Sequence, residues 1–384
     1  MKKLITALFV VFLACGTSEQ DPAETISAND NDNQIPHYSI TAVDTIGVEL
    51  GDSNYVFGSI ETALFSSNGE VLVLDGLEKR ISVFSGDGDF LTHIGRQGSA
   101  PGEFQRPMAM AFLGNGQLAV SDTWGGKMIL FDSSYAYASE ITGFFPAPPM
   151  AISGADASAF IGLMKKFDVE NDLVGYSLGR LDEVAEPSVV YAEEMMEFLP
   201  TMIGPGYTET TVAFASDFSG KVFTSVMSAD EYLISGYLPG GELFVTIEQP
   251  YSPIPKTEQE IADEIEDFNT FLENRQSSGG GGSRMQSMGV QIPLEELVLE
   301  PNPNHYAVSE LMVDSEERIW VRRGAEAQPF FDVFDYEGNL LFTASVEEGD
   351  PDSADWEIVV GENSLLGYSS DPLGYPKVVV LSLE

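Results

Sequence analysis

The sequence predicts an all-β fold, a six-bladed β-propeller, on three observations: a repeated strand unit, a spacing in the forties between its copies, and one late segment that breaks the repeat. The first copy runs from Gly69-Glu70-Val71-Leu72-Val73-Leu74-Asp75 through Arg80-Ile81-Ser82-Val83-Phe84 to Gly88-Asp89-Phe90-Leu91. The second is Gly116-Gln117-Leu118-Ala119-Val120-Ser121-Asp122 followed by Lys127-Met128-Ile129-Leu130-Phe131-Asp132. The third is Glu317-Arg318-Ile319-Trp320-Val321, then Phe331-Asp332-Val333-Phe334-Asp335 and Glu337-Gly338-Asn339-Leu340-Leu341-Phe342. Each reads as turn, short apolar strand, turn, second strand, turn, third strand. Phe84 and Phe131 lie 47 residues apart, and Glu317 and Glu362 lie 45 apart.

The segment 251–305 does not follow this pattern. Thr257-Glu258-Gln259-Glu260 is a capping box, and Ile261, Ile265, Phe268 and Leu272 follow at helical spacing, which predicts a helix over about 257–276. A Gly/Ser-rich link, Ser277-Ser278-Gly279-Gly280-Gly281-Gly282-Ser283, comes after it. Setting this insertion aside leaves 293 of the residues in 37–384, or about 49 per blade for six blades. Seven blades of about 42 residues are the alternative. The six units are 55–100, 101–148, 149–204, 205–250, 306–350 and 351–384. The last is short by one strand, while 38–47 is a strand-like run with no blade of its own. Pairing that run with Lys377-Val378-Val379-Val380-Leu381 closes the ring and covers two sheet edges.

Ahead of the propeller, Lys2-Lys3 and the apolar run Leu4 to Leu13 read as a signal peptide, too short to span a bilayer. Residues 1–15 end in Phe12-Leu13-Ala14-Cys15, and Cys15 is the only cysteine of the chain. The arrangement resembles the lipobox of bacterial lipoproteins, which implies lipidation of Cys15 and anchoring in the cell envelope. Gly16, the residue after Cys15, is not an inner-membrane retention acid, so the expected site is the outer membrane, facing the periplasm or the exterior. Residues 16–36 are polar and acidic, and are expected to be a disordered tether.

The chain has 61 acidic and 18 basic residues in 384, a formal net charge of −43. Such a surface repels nucleic acid and anionic headgroups. Adaptation to a saline habitat, plain solubility and multivalent cation binding are competing readings of it. With no second cysteine, disulfides contribute nothing.

Ile94-Gly95-Arg96-Gln97-Gly98-Ser99-Ala100-Pro101-Gly102-Glu103-Phe104-Gln105-Arg106-Pro107 resembles the junction between NHL-type repeats. By this resemblance the chain is similar to bacterial six-bladed propeller lipoproteins of the NHL-like group. The resemblance implies a propeller whose functions diverge within the group: interaction platforms, binders of glycans or nucleic acids, and a few metal-dependent lyases or hydrolases; a monomer is expected. Fold alone does not choose among them.

Catalytic signatures are sparse. His37, His93 and His305 are the only histidines, spread along the chain, so a three-histidine metal site is not expected. Gly175-Tyr176-Ser177-Leu178-Gly179 matches the nucleophile-elbow pattern but falls where a blade turn is expected, without the required strand-to-helix context. Asp75 and Asp122, each at a strand end, are expected to bond turn amides. Acidic pairs such as Asp87-Gly88-Asp89 and Asp350-Pro351-Asp352 mark solvated turns, with calcium as a possible ligand.

Basic residues are scarce enough that their concentration is informative. Arg322-Arg323 at a strand end, Arg106 before a channel-lining strand, and His305-Tyr306 at the entry to the fifth unit are candidate ligand-binding residues, with Tyr55 and Trp124 as aromatic additions. The expected function is a non-enzymatic, lipid-anchored, extracytoplasmic platform for a protein, small-molecule or glycan ligand. The alternative is a calcium-assisted hydrolase or lyase at the channel mouth.

Overall fold

A computed structural model describes residues 25–27, 35–144, 148–168, 171, 173–197, 212–277, 299, 301–347, 349–369, 372 and 374–384. The expected signal peptide, Cys15, most of the tether and the glycines of the Gly/Ser link lie outside them.

Six antiparallel blades form the molecule, and it is a six-bladed β-propeller. Blade 1 comprises Ile60–Phe65, Val71–Asp75, Arg80–Phe84 and Phe90–Ile94, and blade 2 Pro107–Phe112, Leu118–Asp122, Lys127–Phe131 and Tyr137–Thr142. Blade 3 is Ala151–Gly154, Phe160–Asp168, Leu173–Leu181 and Val189–Glu197. Blade 4 is Val212–Ser216, Val222–Val226, Tyr232–Tyr237 and Leu243–Gln249. Blade 5 is Val308–Val313, Ile319–Arg323, Phe330–Phe334 and Leu340–Val346, and blade 6 opens with Glu357–Val360, Leu365–Tyr368 and Val378–Leu383. The second strands of blades 1 and 2 are largely apolar runs because neighbouring blades cover both their faces; Val71–Asp75 and Leu118–Asp122 are buried at every residue. The core therefore lies between blades. Leu72, Leu74, Ile81 and Val83 of blade 1 pack with Met110, Leu118, Val120 and Ile129 of blade 2.

His37–Ile46 supplies the fourth strand of blade 6. It runs antiparallel to Val378–Leu383, with Ile40 opposite Leu383 and Ile46 opposite Val378. Its first residues also pair in parallel with Thr343–Val346 of blade 5, so blades 5 and 6 share one eight-stranded sheet. The ring is closed by the hydrogen bonds between His37–Ile46 and Val378–Leu383. Thr25–Ser27 pairs in parallel with Thr246–Glu248 on the outer strand of blade 4.

The junctions have clear physical causes. Asp75 is fully buried and accepts the amides of Gly58, Ser59, Leu77 and Glu78, tying the entry of blade 1 to its own turn. Asp122 does the same for Gln105, Arg106 and Gly125. Gly95, at φ 70°, lets the chain turn against the Phe104 ring; an added Cβ would sit 2.2 Å from that ring.

The helix Glu258–Ser277 lies in the connection from blade 4 to blade 5. Its capping box is formed, with Glu260 accepting the Thr257 amide and Thr257 Oγ1 accepting that of Glu260. Phe268 and Leu272 of its apolar stripe are buried, whereas Ile265 is exposed. No helix among the described residues is long and apolar enough to cross a membrane.

Candidate functional site: the upper mouth of the central channel

The first strand of each blade lines a central channel of about 1180 Å³. The strands run the same way, so their beginnings gather at one end, taken here as the upper mouth, and the hairpins to the second strands gather at the lower. Counting back from those hairpins, the fourth residue pair is Thr62–Leu74 in blade 1, Ala109–Ser121 in blade 2 and Ala151–Leu163 in blade 3. The series continues with Ala213–Ser225, Glu310–Arg322 and Glu357–Tyr368. One level of the channel thus carries three alanines on blades 2 to 4, and two glutamates on adjacent blades 5 and 6. Glu61 of blade 1 joins them from the bulge that precedes Thr62.

These acids have few partners. Glu310 Oε2 lies 3.5 Å from Arg322 Nη1. That guanidinium is already engaged, since Nη1 donates to the Trp356 carbonyl at 2.7 Å and Nη2 to that of Ala354 at 3.0 Å. Glu357 accepts one bond from the buried Tyr368 hydroxyl, at 2.8 Å. Glu61 accepts one from Ser59 Oγ, at 3.1 Å. Burial among protein atoms pushes Glu310 up to about 7, against the pull of Arg322 and with Glu357 adding to the rise. Glu357 is raised as well, first by burial and also by Glu61, while Tyr368 and Arg322 oppose the shift. Both carboxyls touch channel space; the Glu310 side chain is 29 % exposed and Glu357 is exposed, so surrounding protein atoms rather than loss of all water raise them.

The lower mouth is acidic too, yet differently built. Asp217 accepts the amides of Ser219 and Lys221 and the hydroxyls of Ser219 and Tyr336. Asp314 accepts Trp320 Nε1 at 2.8 Å, Arg318 Nε at 2.6 Å and the amides of Glu316 and Arg318.

The residues singled out from sequence do not form one cluster. Arg322 belongs to the upper mouth, where it links blade 5 to the entry of blade 6. Arg323 donates twice to the buried Asp332, at 2.9 and 2.8 Å, and lies over the Phe330 ring at 4.3 Å, so it is a structural link. Arg106 is exposed, 5.9 Å from the ring of Trp124, which is itself 58 % exposed. Tyr55 packs on Phe84, and its hydroxyl accepts the Phe90 amide. His305 lies 3.4 Å from Glu260 of the helix, beside the Lys256–Glu264 ion pair, and Tyr306 is half-buried at the entry to blade 5.

The other histidines have partners of their own. His37 bonds Thr343 Oγ1 and stacks on Phe330, and His93 lies between Ser82 and Asn54. Among the described residues, no three His, Cys, Asp or Glu side chains converge closely enough to hold a metal ion. Ser177 needs a correction: the Gly175–Gly179 stretch is the middle of a blade strand and not a turn, with Ser177 buried between Met164 and Glu193 as strand partners. An elbow is therefore excluded.

Glu310, Glu357 and Glu61 were not visible as candidates, because in a chain with 61 acids a single glutamate carries no signal. Aligning the six units on their hairpins is the signal that finds the first two, as glutamates where the other blades have Thr or Ala.

Residues 16–191 match a family model described as a 6-bladed beta-propeller, a match to less than half of the chain. No curated protein sequence matches. Among solved structures, a protein from Bacteroides fragilis is 12% identical with a TM-score of 0.47, over 91% of this chain and 99% of that one. A gluconolactonase from Xanthomonas campestris is 11% identical at TM-score 0.45 (89% and 98% covered). The calcium-binding protein regucalcin from Agrobacterium tumefaciens is 10% identical at TM-score 0.43 (90% and 96%). At such identities and scores these likenesses assign no activity to this chain.

Proposed function

We propose that this chain is a non-enzymatic ligand-binding propeller of the NHL-like group, tethered outside the cytoplasm by a lipid on Cys15, with its binding site at the upper mouth of the central channel. One observation carries the reading: an open channel of about 1180 Å³ whose upper ring sets under-partnered carboxyls against three alanines. Preferred ligand sites are concave, mostly apolar and supplied with a few placed polar groups. Small molecules and short glycans fit that description better than a protein surface does.

The test is thermal unfolding of the full chain against a panel of small molecules and glycans, beside a variant that fills the ring, Ala213→Phe. A saturable rise in melting temperature, lost in the variant, is the expected result. Hits that persist in Ala213→Phe would move the site elsewhere.

A second reading, a hydrolase or lyase at the same mouth, draws on the raised Glu310 beside Glu357, a pairing suited to proton transfer near neutral pH. Calcium assistance belongs to this reading as well, and among the described residues no three His, Cys, Asp or Glu side chains stand at metal-binding spacing. Turnover of lactones or glycosides that vanishes in Glu310→Gln would favour it.

The anchor is tested separately. Cys15→Ser is expected to release the protein from the outer-membrane fraction, and continued sedimentation with membranes would refute the lipid anchor.

A further inference from the structure

We propose that blade 2 carries a second binding site on the upper face, outside the channel, for an acidic saccharide. A hexuronate ring stacks on the Trp124 indole and sets its carboxylate on the Arg106 guanidinium. The site is independent of the channel.

The buried Asp122 builds it. Its oxygens accept the amides of Gln105 and Arg106, at the entry to blade 2, and that of Gly125, in the turn beside Trp124. Thr123 closes the same clamp, donating its amide and its hydroxyl to the Arg106 carbonyl. Trp124 and Arg106 thus stand on two backbone segments fixed to one carboxylate, with the guanidinium carbon 5.9 Å from the ring centroid. Such fixing lowers the ordering cost of binding.

The clamp itself requires neither side chain. Blade 1 has the same arrangement, Asp75 accepting the amides of Gly58, Ser59, Leu77 and Glu78, and there Ser59 and Leu77 hold the positions of Arg106 and Trp124. A lone exposed ring is ordinary on a protein surface. An exposed arginine without an acidic partner is not, in a chain with 61 acidic and 18 basic residues. Among the described residues no carboxylate forms an ion pair with Arg106, whereas Arg96, at the same blade junction, is paired with Glu103.

These two groups select a sugar acid. The indole is 58 % exposed, and its neighbours along the turn are Thr123, Gly125 and Gly126, so its face is open to the C–H groups of a pyranose at carbon–carbon separations of about 4 Å. A carboxylate at the edge of that pyranose reaches sideways, where the guanidinium lies, and a guanidinium holds a carboxylate through two parallel N–H donors. An acidic peptide is the poorer match, because a protein interface needs a dehydrated apolar core and Trp124 stands in polar company. At physiological ionic strength repulsion from the chain's other acids is screened beyond about 8 Å, so the local guanidinium decides.

The experiment uses the full chain carrying Cys15→Ser, titrated at physiological salt with trigalacturonate, its methyl ester and hexaglutamate. Trp320 and Trp356 are buried, so Trp124 is the tryptophan that acrylamide reaches, and its protection from quenching reads occupancy. Trigalacturonate is expected to protect it and to bind at least about tenfold tighter than the ester, a difference of about 1.4 kcal/mol. By calorimetry, Arg106→Gln should remove that preference, and Trp124→Ala should weaken both sugars about tenfold. Both variants should keep the wild-type melting temperature.

Equal binding of acid and ester overturns the assignment to an acidic sugar. Hexaglutamate binding as tightly as trigalacturonate, lost in Arg106→Gln, makes the occupant an acidic peptide and overturns it too. Sugar binding that Trp124→Ala leaves intact overturns the site. Sugar binding that Ala213→Phe abolishes belongs to the channel, overturning the inference and supporting the channel reading. No binding of any probe overturns the inference, while ligands found by the wider panel would still support the channel.

Discussion

The two ends of the channel are lined by the same kind of residue and put it to opposite uses. At the lower end Asp217 and Asp314 are saturated: turn amides, a tyrosine hydroxyl, an indole and a guanidinium meet their oxygens. At the upper end Glu310, Glu357 and Glu61 have one near partner each. Chain geometry explains much of the contrast. An aspartate at the start of a tight hairpin is within reach of amides two and four residues on. A glutamate inside a strand meets no free amides, because the ladder has used them. The lower acids hold the fold; the upper acids remain available to something that enters.

This contrast can be broken most directly at the lower end. Asp314→Ala leaves the Trp320 indole N–H without its acceptor and the Arg318 guanidinium without its closest one. It is expected to cost about 3 kcal/mol, read by urea unfolding. A loss below about 0.5 kcal/mol would mean that the lower acids are no more structural than the upper ones.

Glu310→Gln should do the reverse, in a pH-dependent way. Folded Glu310 keeps its proton up to about 7, whereas the unfolded chain releases it near the ordinary 4.5. Between those values the folded state binds more protons, so wild-type stability falls as pH rises through that window. Glutamine has no proton to lose. The variant should therefore match wild type near pH 4 and exceed it by about 1–2 kcal/mol near pH 8. Parallel pH profiles for the two proteins would show that Glu310 is comfortably solvated, and the comparison would lose its upper half.

The smallest effect is expected on the outer rim. Trp124→Ala removes an exposed ring whose polar neighbour, Arg106, is also exposed, and should change stability by less than about 0.5 kcal/mol. A clear drop in melting temperature would place that ring in the packing of blade 2 rather than on its surface.

The blades were most legible where strands are short and turns tight, over 65–132 and 306–342. There, buried second strands such as Val71–Asp75 appear as unbroken apolar runs between Gly-rich hairpins. Blade 3 was harder to read. Its second, third and fourth strands are nine residues long and carry Gly162, Gly175, Gly179, Lys165 and Lys166, which dilute the pattern. The helix and its capping box were readable because local hydrogen bonding fixes both. The site was not, since it depends on which residues of six separate units share one level. Scarcity of basic residues did single out Arg322, which stands at the upper ring, but as the partner of Glu310 and the bridge to blade 6.

The strand His37–Ile46 has a mechanical consequence. It is bonded along one edge to Val378–Leu383 and, over its first residues, along the other to blade 5. Tension applied on the N-terminal side of His37 runs along the strand axis and loads these bonds together in shear, instead of peeling them one at a time. Resistance to pulling is governed by the unfolding rate. A pull from the N-terminal side thus meets the seam that closes the ring along its strongest direction.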